Sequence, residues 1–300
     1  MCDSDDDTYL FIGSSSVATF RLVYGSKVRV LRFSAATAKG LGQDNKNSQD
    51  IWDTLQTKYA RVDLSAIVWM FGNVDTKFSY YYKLCEEWTG NDADAPDPFE
   101  LMEECAVKYM QFIKKVHSKF LIPKGNSAKT VVIGAEPNGT VPKMTFEQCV
   151  KYFVARDTLE NRKRIDDAIR EHHPDLLRRK FNDTLKGLCV DNDMAYVDVD
   201  DTLLTQQAIP EALDISVVKP EYVDISPSSS HINWESVLKL YINKLKQVNV
   251  CIDETLDLAH TRTEYLNEKQ SRKRKPASVI DERWQKNLKT HIDDRGLQLK

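Results

Sequence analysis

Leu64-Ser65-Ala66-Ile67-Val68-Trp69-Met70-Phe71 is an almost unbroken apolar run that stops at Gly72. A strand with one wet face alternates apolar and polar residues, whereas this one has no polar side to turn to water. It needs cover on both faces, which a parallel sheet between two layers of helices supplies. Shorter runs of the same kind are Tyr9-Leu10-Phe11-Ile12, closed by Gly13, Thr130-Val131-Val132-Ile133, closed by Gly134, and Met194 to Val199. Lys27 to Phe33 alternates basic and apolar residues, as a strand at a sheet edge does.

Helical patterns lie between these runs. Ser48 to Tyr59 carries Ile51, Leu55 and Tyr59 on one face. Phe99 to Phe120 places Met102, Ala106, Tyr109, Ile113, Val116 and Phe120 at alternating steps of four and three. Two helices are predicted around 157–171 and 175–191, separated by Pro174, and a last one over Trp234–Gln247 with Asn233 as N-cap. Strands alternating with helices imply βαβ units and a doubly wound sheet with right-handed crossovers. In such sheets ligands bind at the carboxyl ends of the strands. The loops to read for chemistry are therefore 13–16, 34–42, 72–76, 135–145 and 200–233.

The 300 residues are 41% apolar and 29% charged with a net charge of −3, an ordinary globular balance. That charge gives no field favouring nucleic acid or membrane. The acidic start, Met1 to Asp7, lacks the basic-then-apolar plan of a signal peptide. No apolar run approaches the roughly 20 residues of a membrane span. The six cysteines form no CxxC pair and no metal-ligand spacing. The expectation is a reduced, cytoplasmic or nuclear protein without metal or cofactor. Residues 1–249 read as the α/β domain. Residues 250–300 read as a polar, basic tail, helical in part or disordered. Its run Arg272-Lys273-Arg274-Lys275 reads first as solvated, with a nuclear-localisation or nucleic-acid role as the alternative.

Ser15 follows the first strand within Gly13-Ser14-Ser15-Ser16, where a hydroxyl at the open sheet edge meets the N–H groups of the next helix. A helix cap is the plainer role for such a serine. His231, in Ser228-Ser229-Ser230-His231 ahead of the last helix, is placed in the chain order to take a proton from that serine. In Gly72-Asn73-Val74-Asp75, Asn73 offers a side-chain N–H donor, and Asp75 either orients a substrate or caps the next helix. Tyr80-Tyr81-Tyr82 cannot all face one core, since neighbours on a helix point about 100° apart. At least one ring, with Tyr80 the candidate, should reach a pocket or the surface and stack on a ligand. A P-loop and a Gly-x-Ser-x-Gly elbow are absent, and Gly40-Leu41-Gly42 is a lone Gly-x-Gly.

The order of these parts resembles the SGNH/GDSL hydrolase superfamily over roughly residues 8–247. Gly13-Ser14-Ser15 stands for its Gly-Asp-Ser block and Gly40 (or Gly42) for its second block. Gly72-Asn73-Val74-Asp75 stands for its Gly-x-Asn-Asp block, close to the Phe-Gly-x-x-Asp variant, and Ser228 to His231 for its Asp-x-x-His block. The resemblance implies a three-layer α/β/α fold with a mostly parallel five-stranded sheet in the flavodoxin-like order 2-1-3-4-5. It implies a serine esterase with Ser15 as nucleophile, His231 as base, and Gly40 and Asn73 in the oxyanion hole. Ser14, Asp75, Tyr80 and Ser228 would then face a small acyl or acetyl ester. The chain departs from the pattern at Ser14, Val74 and Ser228, the last replacing the carboxylate that orients the histidine. The alternative is therefore an inactive relative that uses the pocket as a binding or scaffold subunit for a protein partner.

Overall fold

Five strands form one parallel sheet in the order β2-β1-β3-β4-β5: β1 Tyr9–Gly13, β2 Val28–Arg32, β3 Ala66–Met70, β4 Lys129–Ile133 and β5 Ala195–Val197. The computed structural model describes residues 8–23, 28–88, 95–124, 127–137, 158–208, 214–219, 222, 232 and 234–252. All of them fall within the unit Met1–Thr255. β1 pairs with β2 on one side (Phe11 opposite Val30) and β3 on the other (Phe11 opposite Val68). β1 and β3 are buried along their whole length, as their apolar sequences require. Each large apolar side chain so buried contributes roughly 1.5–3 kcal/mol. β2 carries the basic–apolar alternation and is only partly buried, in keeping with its place at the edge.

Alternate residues of the strands point to opposite faces. Leu10, Ile12, Ile67, Trp69 and Val132 join a core with Leu41, Ile51 and Leu55, with Met102, Tyr109 and Phe112, and with Leu177, Phe181 and Leu185. These come from helices α1 Ala38–Leu41, α2 Lys46–Lys58, α3 Pro98–Val116 and the helix Pro174–Asp191. Phe11 points the other way, against Phe20 at 4.2 Å between ring centroids, and Phe20 meets Tyr241 at 5.6 Å. Those rings belong to a 3-10 helix, Ser15–Leu22, and to the last helix, Trp234–Gln247. The chain is thus a three-layer α/β/α domain.

Local chemistry explains the element boundaries. Asp97 accepts from the N–H groups of Phe99 (2.7 Å) and Glu100 (3.0 Å), and Pro98 opens α3 where its missing N–H costs nothing. Pro174 opens the next long helix in the same way, with the His173 ring accepting from Asp175 N–H. The helix expected over Phe99–Phe120 ends as an α-helix at Val116 and continues as a wider π turn, His117–Leu121.

Several short elements go beyond the ranges read from the sequence. The 3-10 helix Ser15–Leu22 follows β1 directly. Helix α1 occupies the Gly40 loop. A two-stranded antiparallel sheet, β6 Leu204–Ala208 with β7 Asp214–Val218, follows β5. The expectation of wholly reduced cysteines is corrected at one position: Cys251 is in a disulfide, whereas Cys85, Cys105 and Cys189 are free and buried. Among the described residues no helix is long and apolar enough to cross a membrane. Asn233 and the basic run at 272–275 lie outside the described residues.

Candidate active site

Gly13 ends β1 where no side chain would fit: a Cβ there would lie 2.4 Å from Met70 O and 2.7 Å from Val17 Cβ. The chain then turns into the 3-10 helix, carrying three serines past the carboxyl edge of the sheet. Ser14 N–H still donates to Met70 O at 3.0 Å, extending the β1–β3 ladder by one residue. That bond draws Ser14 fully inside, and its hydroxyl has no partner among the described residues. Ser14 is therefore a buried residue here, and the expectation that it faces a substrate is corrected. Ser15 is the partly exposed member of the three, and no hydrogen bond of its hydroxyl occurs among the described residues. Ser16 is buried again.

Asn73, 5% exposed, sits in a closed network. Its amide N–H groups go to the Ser16 hydroxyl in a short contact and to Glu136 Oε2 at 3.2 Å, and its Oδ1 accepts from Glu136 N–H at 2.8 Å. Both donors expected in an oxyanion hole are thus committed within the protein. Glu136, which lies two residues past Gly134, also accepts from Tyr241 Oη at 3.2 Å. Burial pushes the Glu136 carboxyl up, while the Lys77 ammonium, Ser16, Tyr241 and Asn73 hold it down. Burial pulls the Lys77 ammonium down to about 8, opposed by the Glu136 charge. The backbone beneath Glu136 is fixed by Asn182, which accepts from Ala135 N–H (2.8 Å) and donates to Ala135 O (3.0 Å). No motif points to Glu136 or Ser16: one is a lone acid in a loop, the other the third of three identical residues.

Gly40 and Asp75 meet in a second place. Asp75 is fully buried and accepts from Ala38 N–H (2.6 Å) and Lys39 N–H (3.2 Å), the first turn of α1. It ties the third block to the second, holding a helix earlier in the chain rather than capping the one that follows. Gly40 N–H donates to Thr37 Oγ1 at 3.0 Å, so it too is used internally. A cleft of about 390 Å³ opens beside this clamp, lined among others by Thr37, Lys39, Gly40, Val74, Asp75, Ser79 and Tyr82. Ser15 is not part of that lining.

The tyrosine expected at the pocket is Tyr80, and the structure buries it: its ring meets Tyr81 at 5.4 Å, Trp88 at 6.2 Å and His172 at 6.0 Å. Tyr82, 40% exposed, is the ring of the three that borders the cleft. A π turn over Asp75–Ser79 sets this phase, since its extra residue rotates everything that follows on the helix. His231 and Ser228 lie outside the described residues. Ile232, next to His231 in sequence, is buried at 1% exposure. Among the described residues no group of three or more His, Cys, Asp or Glu is gathered to hold a metal.

In sequence, no protein-family profile matches the chain and no curated protein matches it. In structure it is similar to a Bacteroides fragilis protein designated an acylhydrolase, at 12% identity and a TM-score of 0.44 over 82% of this chain and 88% of that one. It is similar to an extracellular lipase from Streptomyces rimosus, at 14% identity and a TM-score of 0.39 over 80% and 99% of the two chains. A catalytic mutant of an acetylxylan esterase from Geobacillus stearothermophilus gives 11% identity and a TM-score of 0.38 over 83% and 96%. The fold itself, a three-layer α/β/α domain with its parallel sheet in the order β2-β1-β3-β4-β5, is the one that the resemblance in the motif order implies.

Proposed function

We propose that the chain is a serine ester hydrolase acting on a small acyl or acetyl ester, with Ser15 as nucleophile and His231 as general base. The observation that carries this reading is the placement of Ser15. It is the partly exposed serine at the carboxyl end of β1, between two buried ones, with no hydrogen bond of its hydroxyl among the described residues. In the proposed reaction Ser15 Oγ bonds to the acyl carbon as its proton passes to His231. The alcohol leaves with that proton, and water then cleaves the acyl-enzyme with the same base. The developing oxyanion draws on N–H groups of the first 3-10 turn, which the Ser14 side chain does not cap.

A second reading, a binding module with no hydrolytic step, is favoured by a specific observation. The Asn73 amide and the Gly40 N–H are both spent on internal partners. In that reading the cleft beside Asp75 takes a ligand or the segment of a protein partner. Hydrolysis of p-nitrophenyl acetate separates the two. The esterase reading expects turnover that Ser15→Ala and His231→Ala abolish, and equal rates for wild type and Ser15→Ala overturn it.

A further inference from the structure

We propose that Glu136 is the positioning residue of the serine turn, a buried carboxyl that fixes Ser15 by holding Asn73 against its neighbour Ser16. The inference rests on Ser15 as the reactive serine for its meaning in catalysis, but its geometry stands apart from that reading. Glu136 is 1% exposed and its network joins three separate parts of the fold. Ser16 comes from the turn after β1, Asn73 (3.2 Å) from the turn after β3, and Tyr241 (3.2 Å) from the last helix. The Asn73 amide can only donate to Oε2, because its own oxygen is taken by Glu136 N–H, so a carboxyl oxygen must accept at that point. Lys77, 3% exposed, supplies the neighbouring positive charge that makes a buried anion tolerable.

The network leaves little freedom. Asn73 cannot turn its amide round, because its Oδ1 already accepts from Glu136 N–H at 2.8 Å. Its N–H groups therefore must face acceptors, and they face Ser16 and Glu136. Ser16 accepts from Asn73, so its hydroxyl is held in the same network. Ser15, bonded to Ser16 through the backbone, projects outward from a turn held at Gly13 by close packing and at Ser16 by this hub. The β4 end that carries Glu136 is itself pinned by the two bonds of Asn182 to Ala135. The hub thus joins the carboxyl ends of β1, β3 and β4 at the point where a nucleophile must be presented at a fixed angle.

The test moves the carboxylate instead of merely deleting it. In Glu136→Gln the new amide sets a donor against the Asn73 donor or loses the bond from Tyr241. Hydrogen exchange of residues 13–20 should then quicken about tenfold or more, the loss expected for a charged hydrogen bond left unmade in a buried site. In the double variant Asn73→Asp/Glu136→Gln, a carboxylate returns one residue across the same network. It can accept from Glu136's backbone N–H, from Ser16 and from the new amide, and exchange of 13–20 should return toward the wild-type rate. Simple loss of packing volume predicts no such recovery. Unchanged exchange in Glu136→Gln, or no recovery in the double variant, overturns the proposal. The same proteins are treated with a fluorophosphonate probe, whose attachment rate to Ser15 should fall and recover in step with exchange. If wild-type Ser15 takes no probe, the esterase reading fails while hydrogen exchange still decides the role of Glu136.

Discussion

Asp75→Asn tests how the third block holds the second. Burial dominates at this carboxyl and raises it from 3.8 to about 6, although the N–H groups of Ala38 and Lys39 and a bond with Cys105 pull the other way. The Lys39 ammonium is itself held by Glu104 at 2.6 Å. A raised carboxyl binds its proton more tightly in the folded chain than in the unfolded one. Its contribution to stability is therefore fully present below the unfolded value near 3.8 and is lost as pH rises through about 6. Two units at 1.36 kcal/mol each set the size of that loss at about 3 kcal/mol. The asparagine variant does not titrate, keeps one oxygen for Ala38 N–H and turns its amide toward Lys39 N–H. All other ionisable groups, including the buried Glu136, are common to both proteins and cancel in the difference. Urea unfolding at pH 4, 5, 6 and 7, followed by tryptophan fluorescence, should show the stability advantage of wild type over variant shrinking by about 3 kcal/mol across the range. Parallel stability curves, with a constant difference, would refute the reasoning that Asp75 is a desolvated carboxylate clamping α1.

Two further substitutions probe the frame around the site. Gly72 has φ +108°, and a Cβ there would lie 2.5 Å from the Phe181 ring; Gly72→Ala should lose about 2–4 kcal/mol through backbone strain and overpacking together, measured by urea denaturation, and an unchanged midpoint would contradict it. Arg178, 1% exposed, donates to Asp175 Oδ1 at 2.7 Å and to Asp200 in a short contact; Arg178→Leu leaves Asp200 without its arginine and Asp175 with Arg179 alone (2.9 Å), and should cost about 3 kcal/mol by urea denaturation, a loss below about 1 kcal/mol contradicting it.

The sheet was legible in the sequence because β1, β3 and β4 are apolar on both faces, a pattern that only a covered parallel sheet accommodates. The last helix matched its expected bounds, Trp234–Gln247, because Val237, Tyr241 and Leu245 repeat at the helical period. The β6–β7 pair was not legible, since Leu204-Thr205-Gln206-Gln207-Ala208 has neither alternation nor an apolar run. At the site, position along the chain singled out Ser15 but could not separate it from Ser14 and Ser16, whose burial depends on one backbone bond and one side-chain network. Tyr80 and Tyr82 exchange their expected places because the π turn at Asp75–Ser79 shifts helix phase, and a π turn has no composition of its own. Glu136 escapes notice for a different reason: its partners come from three distant segments, and only the folded sheet edge brings them together.

The central claim is that Ser15 is a reactive nucleophile, and covalent labelling tests it most directly. Wild-type protein is incubated with a fluorophosphonate and digested, and the adduct is located by mass spectrometry. The account predicts one adduct, on Ser15, that disappears in His231→Ala because the serine then lacks its base. No adduct, or an adduct on a different residue, contradicts it.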